Sequence, residues 1–369
     1  MKYYLSIDAG TSIIKIVIFN QDFKIKFKSS IENKVQTDSK GKSEINMRSF
    51  WSLTSKLIKS SLKKSKIKNI DIIGVGVTGN MVGVWPVNSK GKPVRNAILW
   101  NDARSKEIFD KIQKSNPKIY QKIFDLTGSI VQFGCTVPVI KWLEINEPQI
   151  IKKTDYFLTC KDWIRLNLTN EFNNDHTERA VAPGDIKNAD LSLKIFKLLK
   201  LNKKYLNKFP QVKKSQDIAG YITSNAAKET GLLSGTPVIV GTGDVPASAI
   251  GVGAIHNNQT SSIIGTTCHN YLVSPKPIFF PKNSGLLFYS PNNQWLRTMI
   301  NVAGTTNLDW IVKNFFKEQL KYKSKFQILN EFEKNLKENN YLDNDIIYLP
   351  YLNYGGTISP FFNLNAKAE

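Results

Sequence analysis

The sequence predicts an α/β protein of two related halves facing one cleft, with mixed sheets covered by helices. Three observations lead there. The chain opens as strand, turn, strand, turn, strand, and a helix and another strand follow. A second opening of the same layout lies past the middle, at Thr260–Val273. The chain has 369 residues, 41% of them hydrophobic, which is enough to bury the cores of two domains.

The elements follow in order. Tyr3 to Ile7 is an apolar run, Asp8-Ala9-Gly10-Thr11-Ser12 is a turn, and Ile14, Ile16 and Ile18 then line one face of a second strand. Asn20-Gln21-Asp22 turns again, and Ile25 and Phe27 alternate with lysines in a third strand. An amphipathic helix runs from about Arg48 to Lys64, striped by Phe50, Leu53, Leu57, Ile58 and Leu62, with Lys63 and Lys64 at the negative end of its dipole. Ile70 to Val77 reads as a buried strand with Gly74 and Gly76 as close-packing points. In the second opening, Thr260 to Ile264 runs into Gly265-Thr266-Thr267 and then Tyr271-Leu272-Val273. The break Leu233-Ser234-Gly235-Thr236-Pro237 places the boundary between halves near 235/236.

Composition removes several classes. Apolar content with 11% aromatic residues excludes a disordered chain. No apolar run reaches the ~20 residues of a membrane span, and the start MKYYLSIDAG is no signal peptide. Cys135, Cys160 and Cys268 are odd in number and far apart, fitting reduced thiols of a cytoplasmic protein rather than a disulfide framework. His176, His256 and His269 lack metal-ligand spacing and read as structural or surface residues. The net charge of +21 invites a nucleic-acid reading, but the cations are nearly all lysines spread along the chain, with six arginines. Base readers and bidentate phosphate clamps prefer arginine, so a lysine-rich solvated surface is the simpler account.

Two segments carry chemistry. In Asp8-Ala9-Gly10-Thr11-Ser12, glycine lets backbone N–H groups approach phosphate oxygens, the hydroxyls donate, and Asp8 can hold hydrated Mg²⁺, with Lys15 as a nearby cation. The same residues also suit an ordinary hairpin turn. Pro237 to Ala249 reads as strand, Gly241-Thr242-Gly243 bend, and a helix opening at Asp244 with Pro246 in its first turn. Asp244 there is either a plain N-cap or a carboxylate placed to accept a hydroxyl proton, two roles that are compatible.

With further segments these resemble the FGGY family of carbohydrate kinases. Asp8–Ser12 is similar to its first phosphate motif, Gly243-Asp244 to its catalytic-aspartate motif, and Ile264–Thr267 to its second phosphate motif. Val302–Trp310 resembles the Gly-containing segment after that, Trp100-Asn101-Asp102-Ala103-Arg104 the Trp-Asn-Asp-x-Arg segment at the sugar site, and Tyr348–Leu352 the late Leu-Pro-Tyr-Leu stretch. The resemblance implies the actin/hexokinase-like (ribonuclease H-like) duplicated fold with a cleft. Residues 1–235 would form the N-terminal domain and 236–369 an incomplete C-terminal domain.

It also implies ATP-dependent phosphorylation of a hydroxyl on a neutral sugar, a pentulose or polyol, with ATP and Mg²⁺. Asp244 would be the general base and a possible second metal contact. Asp8 would hold Mg²⁺ through water. Gly10, Thr11, Ser12, Lys15, Gly265, Thr266 and Thr267 would face the phosphates, and Gly304 would let the backbone approach the nucleotide. Asn80, Met81, Val82, Trp100, Asn101 and Asp102 would contact the sugar. Asp102-Ala103-Arg104 also reads as a helix start, and Arg104 is close enough to pair with Asp102.

Two departures qualify the resemblance. Gly79-Asn80-Met81-Val82-Gly83 stands where D-xylulose kinases carry Gly-Gln-Met-His-Gly and glycerol kinases Arg-Glu, which disfavours glycerol and weighs against D-xylulose. Asp244-Val245 and the Glu178–Asp185 stretch look nearer an L-xylulose or polyol branch. The Gly-Gly-Gly-Ala adenine motif of the family is absent from the 369 residues. The expectation is a missing adenine-binding segment, weak ATP binding, and apolar surface at Phe361, Phe362 and Leu364 that favours a homodimer or a separately encoded C-terminal piece. A catalytically inactive kinase-fold protein and a basic nucleic-acid binder remain the competing readings.

Overall fold

A computed structural model of the chain describes residues 1–265, 267–301 and 303–339. Two sheets organise it. The first holds strands β1 (Tyr3–Ala9), β2 (Ile13–Asn20), β3 (Ile25–Glu32), β4 (Ile72–Gly79), β5 (Ile218–Tyr221) and β6 (Pro237–Ile239), in the order β5-β6-β4-β1-β2-β3. β1, β2 and β3 form an antiparallel meander, while β4 runs parallel to both β1 and β6. The second sheet is antiparallel, with β7 (Thr260–Ile264), β8 (Cys268–Ser274), β9 (Leu286–Ser290) and β10 (Gln294–Asn301) in the order β7-β8-β10-β9.

The period-2 pattern of the first strands decides which face is inside. Leu5, Ile7 and Ala9 of β1 and Ile14, Ile16 and Ile18 of β2 are all buried. Helix α1 (Met47–Ser65) covers that face with Phe50, Leu57, Ile58 and Leu62 buried. It starts two residues after β-structure ends because the Asn46 side chain accepts from Ser49 N at 3.0 Å, and it stops at Lys66 in a left-handed conformation.

Three local expectations change. The strand expected at Ile70–Val77 is Ile72–Gly79: a short 3₁₀ turn at Asn69–Asp71 precedes it and leaves Ile70 exposed. The close approach in that strand is at Gly79, where a Cβ would stand 3.0 Å from Ala9 O. At Gly74 and Gly76 a Cβ would meet only ordinary side-chain contacts. The boundary expected at 235/236 falls inside the first sheet, because β6 lies beyond it and still pairs with β4 through Val238 and Val75. A turn-rich sequence marks a turn, and only pairing partners decide which sheet the next strand joins.

A second core lies in a helical insertion between β4 and β5, built around Phe109, Ile123, Ile140 and Phe196. A third joins the two halves: Met81, Val82 and Phe124 from the first pack with Tyr271, Leu286 and Ile300 of the second sheet. Among the described residues, no helix is long and apolar enough to cross a membrane.

Candidate functional site

Two hairpin turns face each other across the cleft. The β1–β2 turn is Gly10-Thr11-Ser12, and the β7–β8 turn is flanked by Gly265 and Thr267. Asp8, Gly10, Thr11 and Lys15 on one side and Gly265 and Thr267 on the other line a single cavity of about 860 Å³. A Cβ at Gly10 would stand 2.6 Å from Ile13 O, so the first turn requires glycine. Met81, Val82, Trp100, Asn101 and Asp244 also line the cavity, so eleven of the sequence-predicted positions converge on one space.

Asp244 opens helix α4 (Asp244–Gly251) as its first residue; the N-cap is Gly243, which corrects the plain-cap reading. The bend before it requires glycine. The requirement is at Gly241, where φ is +75° and a Cβ would fall 1.9 Å from Val77 O; at Gly243 a Cβ would meet only the movable Met81 side chain. The half-buried Asp244 carboxyl is pushed up to about 7, first by burial and then by the neighbouring Asp8 charge; the Val245 N–H, 2.9 Å away, and Lys15 pull the other way. Asp8 itself pairs with Lys15 Nζ at 2.9 Å. Two carboxylates close enough to repel, on the wall of one cavity, are the hard-oxygen donors that suit a hydrated divalent cation.

Five predicted positions do not line the cavity or lie outside the described residues. Asn80 is buried beneath it, its side-chain N–H₂ donating to Ala9 O at 3.0 Å. Asp102 is fully buried: it accepts from Ser43 N at 2.7 Å and pairs with Arg104 at 2.7 Å, and Arg104 also reaches Glu44. That pair locks the 100–104 loop to the strand at Ser43–Ile45, and the next helix begins only at Lys106. Ser12 is exposed, and its carbonyl accepts from Asn33 N. Gly304 packs under the second turn, where a Cβ would stand 2.4 Å from Gly265 O and 2.6 Å from Thr267 O, so the backbone it approaches is that turn. Thr266, and the segments at Tyr348–Leu352 and Phe361–Leu364, lie outside the described residues.

Sequence reasoning missed part of the wall. His269 and Tyr271 of β8 continue the alternation that starts at the predicted Thr267, and all three line the cavity. His269 was read as structural; its ring instead bonds Thr267 Oγ1 at 3.0 Å, and burial lowers its pKa. His269 Nδ1 and the Tyr271 hydroxyl are buried without a hydrogen-bond partner among the described residues, and burial raises the Tyr271 phenol. Gln132 and Ser248 add polar groups. No local signal marks Gly134, whose missing side chain admits the Trp100 carbonyl: a Cβ there would stand 2.0 Å from Trp100 O.

Fold and site define a two-lobed α/β protein with paired Gly-Thr turns flanking an aspartate at a helix start. The N-terminal-domain signature of the FGGY family of carbohydrate kinases matches residues 3–251, and the chain belongs to that family. The matched range runs past β6 to the end of α4, and β6 belongs to the first sheet. The chain is 27% identical over 320 residues to a probable L-xylulose kinase of Haemophilus influenzae, covering 85% of this chain and 65% of that protein. It is 26% identical over 312 residues to the xylulose kinase of Escherichia coli, covering 84% and 62%. It thus spans less than two thirds of the length of these relatives. A ligand-bound xylulose kinase structure from Lactobacillus acidophilus superposes with a TM-score of 0.85 over 100% of this chain and 71% of that one, at 21% identity. The fold is the actin/hexokinase-like one that the sequence predicts.

Proposed function

We propose that the cavity transfers the terminal phosphoryl group of ATP to a hydroxyl of a neutral sugar, a pentulose or polyol. The observation that carries this is the position of Asp244, half-buried on the cavity wall between the two Gly-Thr turns. Mg-ATP, when bound, would supply the phosphoryl group and charge neutralisation. The chain's own residues do the rest. Asp244 takes the acceptor hydroxyl proton, its raised pKa matching it to that task near neutrality. Gly10, Thr11, Gly265 and Thr267 present backbone and hydroxyl groups to the phosphates, and Asp8 offers a carboxylate to hydrated Mg²⁺. Met81, Val82, Trp100 and Asn101 shape the acceptor end.

Neutrality of the acceptor follows from the lining. Among the described lining residues Lys15 is the one Lys or Arg, and it is already paired with Asp8. A carboxylate or phosphate on the acceptor would find no free fixed cation. The test is ATP consumption with a panel of ketopentoses, polyols, glycerol and sugar acids. Preference for L-xylulose or another neutral pentulose or polyol supports the reading, and preference for a sugar acid or a phosphorylated sugar sinks it.

A further inference from the structure

Beneath the cavity lies a cluster of buried charges that none of the functional residues above explains. On helix α2 (Cys160–Thr169), the Lys161 side chain is wholly buried. Its ammonium lies 2.9 Å from Asp162 Oδ1, pairs with Asp175 Oδ2, and stands 3.9 Å from Glu178 Oε1. Arg165 joins Asp162 at 2.7 Å and donates to Val240 O, between the end of β6 and the Gly241–Gly243 bend. Two cations thus face three carboxylates in a dry interior, an arrangement that apolar side chains of similar volume commonly match in stability.

Two contacts leave this cluster for the site, both through helix α3 (His176–Val181) and its cap. Asp175 Oδ1 accepts from Thr177 N at 2.9 Å and from the Thr177 hydroxyl. With its proton given to Asp175, the Thr177 oxygen is left as an acceptor, and the Gly243 N–H donates to it at 3.1 Å, one residue before Asp244. Glu178 Oε2 accepts from the Val82 N–H at 2.7 Å. Val82 has φ +55° and Gly83 φ +71°, so a β-branched residue of the acceptor loop sits in a conformation it seldom adopts unaided. Glu178 Oε1 has no hydrogen-bond partner among the described residues and faces Lys161.

We infer that Lys161 anchors a two-armed brace, in which Thr177 holds the start of the helix carrying Asp244 and Glu178 holds the acceptor loop at Val82, fixing base and loop relative to each other. This rests on reading the cavity as the acceptor site. Lys161, Thr177 and Glu178 do not line the cavity, and they are positioning residues.

Amide hydrogen exchange of the full chain tests the brace without any ligand. Glu178→Ala should speed exchange at Val82 at least tenfold relative to β2 amides, Glu178→Gln should restore protection, and Gly243 should be little affected. Thr177→Val should speed Gly243 and spare Val82, and Thr177→Ser should behave as the parent. With L-xylulose and ATP, Glu178→Ala should raise the sugar KM about tenfold with the ATP KM unchanged. Thr177→Val should instead lower kcat. Unchanged protection at Val82 and Gly243 in folded variants overturns the inference, and so does faster exchange that is uniform through β2. Should Glu178→Ala fail to fold, unchanged Gly243 protection in Thr177→Val overturns it alone. Site-specific exchange changes in a chain that phosphorylates no sugar would leave the brace standing and sink the kinase reading instead.

Discussion

The indole Nε1 of Trp100 donates to the Thr11 hydroxyl over 3.0 Å, joining the 100–104 loop to the β1–β2 turn. The two residues are far apart in sequence and face the same cavity. A single side-chain bond therefore makes the placement of Thr11 depend on that of Trp100.

Removing that bond should be felt by both substrates. Trp100→Phe keeps the ring and loses the donor, so a cost of ~0.5–1.5 kcal/mol is expected, about two- to tenfold in affinity. Steady-state kinetics should show KM rising for sugar and ATP together. A change confined to the sugar would mean that the bond does not position Thr11.

Asp244→Asn should lower kcat by roughly 10²–10⁴-fold while leaving the melting temperature near that of the parent at about pH 4. The pH profile follows from the raised carboxyl. Only the ionised form accepts a proton, so kcat/KM should climb as pH rises through about 7 and level off above it. Stability runs the other way. A carboxyl whose folded pKa exceeds its unfolded value favours the folded state while protonated, so that contribution is lost between about pH 4 and 7. Asp244→Asn should flatten this part of the melting-temperature profile. Near-parental turnover in the variant would rule out Asp244 as base.

Gly304→Ala probes the second turn. The new Cβ would stand 2.4 Å from Gly265 O and 2.6 Å from Thr267 O, both backbone atoms, so the turn itself must move. Overpacking of this kind costs about 1–3 kcal/mol. The ATP KM should rise about tenfold or more with the sugar KM nearly constant, and an unaffected ATP KM would detach the 265–267 turn from the phosphate role.

Asp102→Ala separates a structural aspartate from a substrate-binding one. It would leave the Arg104 guanidinium, stacked 4.8 Å above the Trp142 ring, short of its main partner, and leave Ser43 N–H without an acceptor. Breaking a buried pair typically costs about 3–5 kcal/mol. Chemical denaturation should show that loss while the sugar KM in the remaining folded protein stays within about twofold.

How far the site was legible depends on the range of the interactions that build it. The two Gly-Thr turns and Asp244 could be read directly, because each is a short run whose residue types answer a local backbone requirement: left-handed or close-packed glycines, a hydroxyl beside them, a carboxylate at a helix start. The face of β2 was legible for the same reason, alternation being a property of neighbours. Asn80 and Asp102 do not line the cavity: polarity alone does not tell a ligand contact from a buried partner. Their partners, Ala9 O, Ser43 N and Arg104, are fixed only when distant strands meet.

The amino-acid sequence alone determined the family, the opening strands with their covering helix, and the eleven predicted positions that line the cleft, since these follow from local spacing and residue chemistry. Only the tertiary structure decided that β6 belongs to the first sheet, that His269 and Tyr271 reach the cavity, and that Lys161, Thr177 and Glu178 stand behind Asp244 and Val82. The reason is physical. Burial and pairing are properties of which surfaces come together in space, and a lysine, a threonine and a glutamate look like solvent-facing residues until packing removes the water around them.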